Sequence, residues 1–233
     1  MNKKNFTIAA LVLSISQFIT LPSSAADLSL PPVAKEAVVQ QVNTLATTSV
    51  EYKKELMEKL SHINQFSAVF EQEIIDNEGN ILQTGGGDLA VKRPNLVHWN
   101  TTSPDESLIV SDGESIFLFD PFIEQVTAYK LDGAIANTPI LLITSNDTAL
   151  WEQYSVSRSS ANNYVIHAND VNSRIKTLEI NFNDKSELSG FTFLDVTGQL
   201  SKVSLNNMNL STNLDPSLFT FTIPEGAHLD DQR

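Results

Sequence analysis

Cysteine is absent from this 233-residue chain, which excludes disulfides, thiolate nucleophiles and sulfur-ligated zinc. It also excludes the acylated amino-terminal cysteine that anchors a bacterial lipoprotein. Stability must come from an apolar core. Histidine is scarce: His62, His98, His167 and His228 stand far apart, no two at the i, i+4 spacing of a helical zinc pair. No GxSxG elbow surrounds a serine, and Gly85-Gly86-Gly87 is not followed by the Lys-Ser/Thr of a phosphate loop. Asp230 and Asp231 are neighbours in an extended tail, where adjacent side chains point apart, so they form no catalytic pair. The residues supply no enzymatic constellation and imply no cofactor or metal. Basic residues are outnumbered 15 to 28 by acidic ones, giving a net charge of −13. Nucleic acid is therefore not an expected partner, and anionic lipid surfaces repel the chain.

Long apolar runs are missing too, with one exception at 6–21, directly after Lys3-Lys4. It contains Ser14, Ser16, Gln17 and Thr20 and falls short of the roughly 20 mostly apolar residues that span a bilayer. The small residues of Pro22-Ser23-Ser24-Ala25-Ala26 follow it, the pattern of a cleavable export signal. Residues 1–26 are expected to be removed after Ala26, and the exported remainder to be a soluble monomer. Residues 27–49, with Pro31-Pro32 and no apolar stripe, read as a mobile lead-in to one domain over 50–233.

What is present is an alternation of short apolar elements. Leu56, Met57, Leu60 and Ile63 recur every three or four residues and predict an amphipathic helix ending near His62. The period then changes to two: Phe66, Ala68, Phe70, Gln72 and Ile74 share one side, with Ser67, Glu71 and Glu73 on the other, which predicts a strand. Asn77-Glu78-Gly79-Asn80 is a hairpin turn, and the three glycines mark a bulge or bend in the returning strand. Further strands are expected over 96–101, 108–110, 115–119, 125–131, 152–157, 164–168, 175–182, 188–196, 202–210 and 219–223. Between the fourth and fifth of these, Asn137-Thr138 as a polar cap and Pro139 as first residue begin a short apolar helix through Ile140, Leu141, Leu142 and Ile143. About eleven antiparallel strands with a few short helices fit a strongly curved sheet or incomplete barrel.

LAVKRPNLVHWNTTSPD at 89–105, the NTPILL segment at 137–142, the terminal DDQR at 230–233 and the export signal together resemble the family of periplasmic lipoprotein carriers, LolA. That resemblance covers nearly all of the exported chain. It implies an unclosed β-barrel around a hydrophobic cavity with helices as a lid. It implies a chaperone that takes acylated lipoproteins from an inner-membrane releasing ABC transporter and hands them to an outer-membrane receptor, without bond chemistry. It assigns Arg93 of the KRP motif as a latch that holds the lid shut through the helix bearing Leu60, with Leu56 one turn earlier. The acyl-chain cavity expected from it takes in Phe66, Phe70, Leu89, Val91, Val97, Trp99, Phe117, Phe119, Ile140, Leu141 and Leu142. Val97 occupies a position where the family often has a larger aromatic, and DVTGQLS at 195–201 departs from the charged stretch of close relatives.

From the residues alone a second reading stands: a secreted β-sandwich that binds carbohydrate through exposed Trp99, Tyr129 and Trp151. The sequons at Asn100, Asn146 and Asn209 match a glycosylation pattern that bears on neither reading.

Overall fold

Among the described residues twelve strands form a single sheet in the order β12-β6-β5-β4-β3-β2-β1-β11-β10-β9-β8-β7. The computed structural model describes residues 48–135 and 138–233. The expected export signal, its cleavage point and the lead-in up to residue 47 lie outside them. Residues 48 and 49 are already helical, so the helix begins earlier than its apolar periodicity suggested.

The first helix, α1, covers 48–61 of the described residues and buries Leu56 and Leu60. The strands are β1 (Gln65–Ile75), β2 (Ile81–Lys92), β3 (Leu96–Ser103), β4 (Ser107–Asp112), β5 (Ser115–Asp120), β6 (Gln125–Lys130), β7 (Tyr154–Ser160), β8 (Asn163–Ala168), β9 (Ile175–Phe182), β10 (Leu188–Asp195), β11 (Leu200–Asn209) and β12 (His228–Gln232). Helices α2 (Leu131–Ala134), α3 (Pro139–Thr144) and α4 (Thr148–Glu152) fill the long connection from β6 to β7. Neighbouring strands are antiparallel except β12, which runs parallel to β6. The sheet is unclosed: β12 and β7 are its two edges.

Curvature follows from shared burial. Ile116 of β5 and Val156 of β7 sit near opposite ends of the strand order, yet both belong to one apolar cluster with Phe66, Phe70 and Phe191. The sheet must curl for them to meet. The three glycines permit part of that bend, with a break in register against β3 between Gly86 and Gly87. A Cβ on Gly87 would lie 1.9 Å from the Asn100 carbonyl oxygen, so only glycine admits this approach of β2 to β3.

The convex side carries a second, smaller cluster. Ala90 and Leu96 face away from the first core and pack with Leu214, Leu218 and Phe219. The strand expected over 219–223 is not formed. Pro216–Phe219 is instead a 3-10 turn capped by Asp215, and residues 220–223 run on without ladder pairing. The strand that does form there is the polar β12, whose sequence has no apolar alternation to reveal it.

Candidate functional site

Helix α3 is too short to hold its shape alone, since isolated helices under ~12 residues are marginal in water. All six of its residues are buried, and burying a large aliphatic side chain contributes about 1.5–3 kcal/mol. Packing, rather than capping, sets its position. Thr138 makes no side-chain cap to the helix; its hydroxyl donates back to the Ala134 carbonyl at 3.0 Å. Asn137, the other expected cap, lies outside the described residues. Pro139 opens the helix as expected.

Beyond α3 the chain turns sharply through Ser145, Asn146 and Asp147. Asp147 caps α4 by accepting from Ala149 N–H at 2.8 Å and Leu150 N–H at 3.3 Å, and its own N–H donates to Ser145 Oγ at 3.1 Å. This junction is where Arg93 arrives. Arg93 stands in the β2–β3 turn, fixed there by its N–H donating to the Asn64 carbonyl at 2.8 Å. Its Nη2 donates to the Ser145 carbonyl at 2.8 Å and to Asn146 Oδ1 at 2.7 Å, and Nε donates to the same Oδ1 at 3.0 Å. Its Nη1 donates to the Leu60 carbonyl at the end of α1. One guanidinium thus spans the sheet, the α1 terminus and the α3–α4 junction. The planar fork reaches three acceptors in different directions, which a lysine ammonium on a flexible stem does less well. Carbonyls at helix C-termini carry the negative end of the helix dipole, which suits a cation. Burial pulls the Arg93 guanidinium below its ordinary value without any acid to offset it. Its acceptors are all neutral.

Leu60 therefore meets Arg93 through its backbone, while its side chain and that of Leu56 lie in the core at 1% and 0% exposure. Phe66, Phe70, Leu89, Val91, Val97, Ile140, Leu141 and Leu142 gather in the concave core beneath the helices. Trp99 packs against that core, its ring centroid 4.4 Å from Phe70 and 6.2 Å from Phe191. Phe117 and Phe119 are a correction. Strand alternation sends Ile116 and Leu118 inward, so Phe117 and Phe119 face the convex side, where Phe221 stacks on Phe117 at 5.0 Å and lies 6.3 Å from Phe119. Arg233 covers Phe117 at 5.7 Å.

The concave core beneath α3 is closely packed among the described residues. A void beneath α3 lined by Ile135, Pro139, Leu142, Tyr154, Ile166 and Leu178 measures about 10 Å³. A cavity of ~150 Å³ admits benzene, so this void is too small for an apolar ligand as it stands. The aromatic platform of the carbohydrate reading is also missing. Trp151 is 2% exposed, and Trp99 and Tyr129 pack against the concave core.

The grip of Asn146 and Ser145 on Arg93 was not foreseen. The signal was there in the polar Ser-Asn-Asp break directly after the apolar helix.

The family model described as outer membrane lipoprotein carrier protein LolA matches residues 61–222. The chain belongs to the LolA family. An outer-membrane lipoprotein carrier protein of Aeromonas salmonicida is 40% identical over 201 residues, covering 85% of this chain and 99% of that relative. One from Photorhabdus laumondii is 41% identical over 178 residues, covering 76% and 87%. Among solved structures, a LolA superfamily protein from Nitrosomonas europaea aligns with TM-score 0.43 at 13% identity over 73% of this chain and 98% of its own. No helix among the described residues is long and apolar enough to cross a membrane.

Proposed function

We propose that the chain is a periplasmic chaperone for lipoproteins: it shelters their acyl chains between the concave sheet and α3, and releases them to an outer-membrane receptor. An inner-membrane ABC transporter supplies the cargo. The work is binding and release, with no covalent step. The observation that carries this reading is a wholly buried, mainly aliphatic helix over an apolar concave sheet, fastened through one guanidinium with neutral acceptors only.

The energies make such a device reversible. Burying one acyl chain of ~14 carbons gains roughly 11 kcal/mol gross, at about 0.8 kcal/mol per methylene. Returning Ile140, Leu141 and Leu142 to the concave face recovers roughly 5–9 kcal/mol, at about 1.5–3 kcal/mol each. Lid and acyl chain compete for the same surface on similar terms. The Arg93 bonds, formed only in the closed state, tip the balance toward release when a receptor offers the chain another apolar site. Arg93 is in this reading the latch, with the α1 backbone at Leu60 as its catch.

Native mass spectrometry of the protein taken from its own periplasm tests the proposal. Acylated polypeptides should accompany it one to one. Recovery with soluble, unacylated partners alone would refute the carrier role.

A further inference from the structure

The opposite flank of α1 is held by a different cation. Arg158 of β7 donates through Nη2 to Glu55 Oε1 at 2.6 Å and to Tyr164 Oη of β8 at 2.9 Å. Its guanidinium also lies over two rings, 5.4 Å from Tyr52 and 5.1 Å from Tyr164. Tyr52 and Glu55 are three apart on α1, hence neighbours on one face. One further tie between α1 and the sheet runs beside this one: the Val156 N–H of β7 donates to Ser49 Oγ at 3.0 Å. Lys53 Nζ donates to the Trp151 carbonyl at 2.9 Å, at the end of α4 remote from α3. At its other end α1 passes through residues 62–64 straight into β1. By contrast, the side-chain hydrogen bonds of α3 and its preceding residue are local, Thr144 to Leu141 and Thr138 to Ala134.

The two arginines differ in kind. Arg93 meets carbonyls and an amide, groups that water replaces at modest cost once the lid parts. Arg158 meets a carboxylate and two aromatic faces, a charge-assisted pair reinforced by cation–π contact. Burial pushes the Tyr164 phenol up to about 12, and its neutral oxygen accepts from Arg158.

We infer that Arg158 is a positioning residue that pins α1 to β7 and β8, so that release of Arg93 lifts α3 away from a stationary α1. The lid then has a fixed half and a moving half, and cargo enters beneath α3. The inference rests on Arg93 being the releasable latch.

Because the chain has no cysteine, introduced cysteines carry spin labels without background. One doubly labelled protein, Glu58→Cys with Ser160→Cys, reports α1 against β7. A second, Lys92→Cys with Thr148→Cys, reports the latch side of the lid against the sheet; all four positions are exposed. Pulsed electron resonance should give one distance for 58–160 in both wild type and Arg93→Leu. For 92–148, Arg93→Leu should add a second, longer population. Arg158→Met in the otherwise native chain should add a longer population to 58–160. If Arg158→Met fails to fold by circular dichroism, Glu55→Gln removes the same charge pair more gently and should act in the same direction. Lengthening of 58–160 by Arg93→Leu alone, or no change of 58–160 when the Arg158 pair is broken, overturns the inference. A 92–148 distance that ignores Arg93→Leu counts against the latch instead, and the Arg158 comparison still decides whether α1 is pinned.

Discussion

Replacing Arg93 by leucine removes the donors for the Leu60 and Ser145 carbonyls and for Asn146 Oδ1 in one step. A hydrogen bond to a charged group contributes about 1.5–3 kcal/mol. Asn146 is exposed and water takes over its bond, while Arg93 is only half-buried, so the low end applies to the two carbonyl bonds alone. The closed state then loses about 3 kcal/mol relative to the open one, and at about 1.4 kcal/mol per tenfold the open-to-closed ratio rises roughly 100-fold. Arg93→Lys keeps the charge but not the fork and should shift the ratio roughly tenfold. The assay is binding of a hydrophobic dye to the empty protein, read beside its melting temperature, since general destabilisation also raises dye binding. Release to the receptor separates the two causes: an unlatched lid transfers bound cargo more slowly because reclosure no longer competes with it. Equal dye binding and equal transfer in a folded Arg93→Leu protein would refute the reasoning.

Leu141→Glu places a carboxylate at a position with 0% exposure, which should lower stability by more than about 3 kcal/mol or stop cargo loading; normal stability with normal uptake from inner membranes would remove Leu141 from the acyl site. Phe117→Ala should cost about 1–2 kcal/mol by stripping the contacts of a half-buried ring with Phe221 and Arg233, yet leave uptake of acylated cargo intact, because the ring lies on the convex side; lost uptake at unchanged stability would contradict that placement. Burial pulls His98 below its ordinary 6.5, against a smaller opposing pull from Asp88. The unfolded chain therefore takes up a proton first as pH falls, and stability should decline below about pH 6.5 and be level above it as far as this group is concerned. Melting temperatures across pH should fall less steeply in His98→Gln; identical slopes would show that His98 contributes nothing.

The sheet was legible because each strand on the concave side alternates against a real core. In β1 the buried Phe66, Ala68, Phe70 and Ile74 match the side read from period two, and 175–182 coincides with β9. Two kinds of element escaped. The convex cover formed by β12 and the turn at 216–219 is polar or irregular in sequence, so periodicity had nothing to find. Phe117 and Phe119 were misplaced for the same reason: the convex cover that receives them, with Phe221, has no periodicity to announce it. Helices α2 and α4 are four and five residues long, shorter than the window in which a helical period shows. The Arg93 motif and the apolar α3 were readable, but the neutral acceptors on Ser145 and Asn146 depend on a turn that only the fold brings within reach.

The most direct measurement mixes the purified protein with inner-membrane vesicles that contain its proposed transporter and an acylated lipoprotein, then asks what leaves with it in the soluble fraction. A carrier should bring out one acylated lipoprotein per chain and none of the same polypeptide when its acylated cysteine is replaced. Release that is independent of acylation, or no release by a folded protein, would contradict the account.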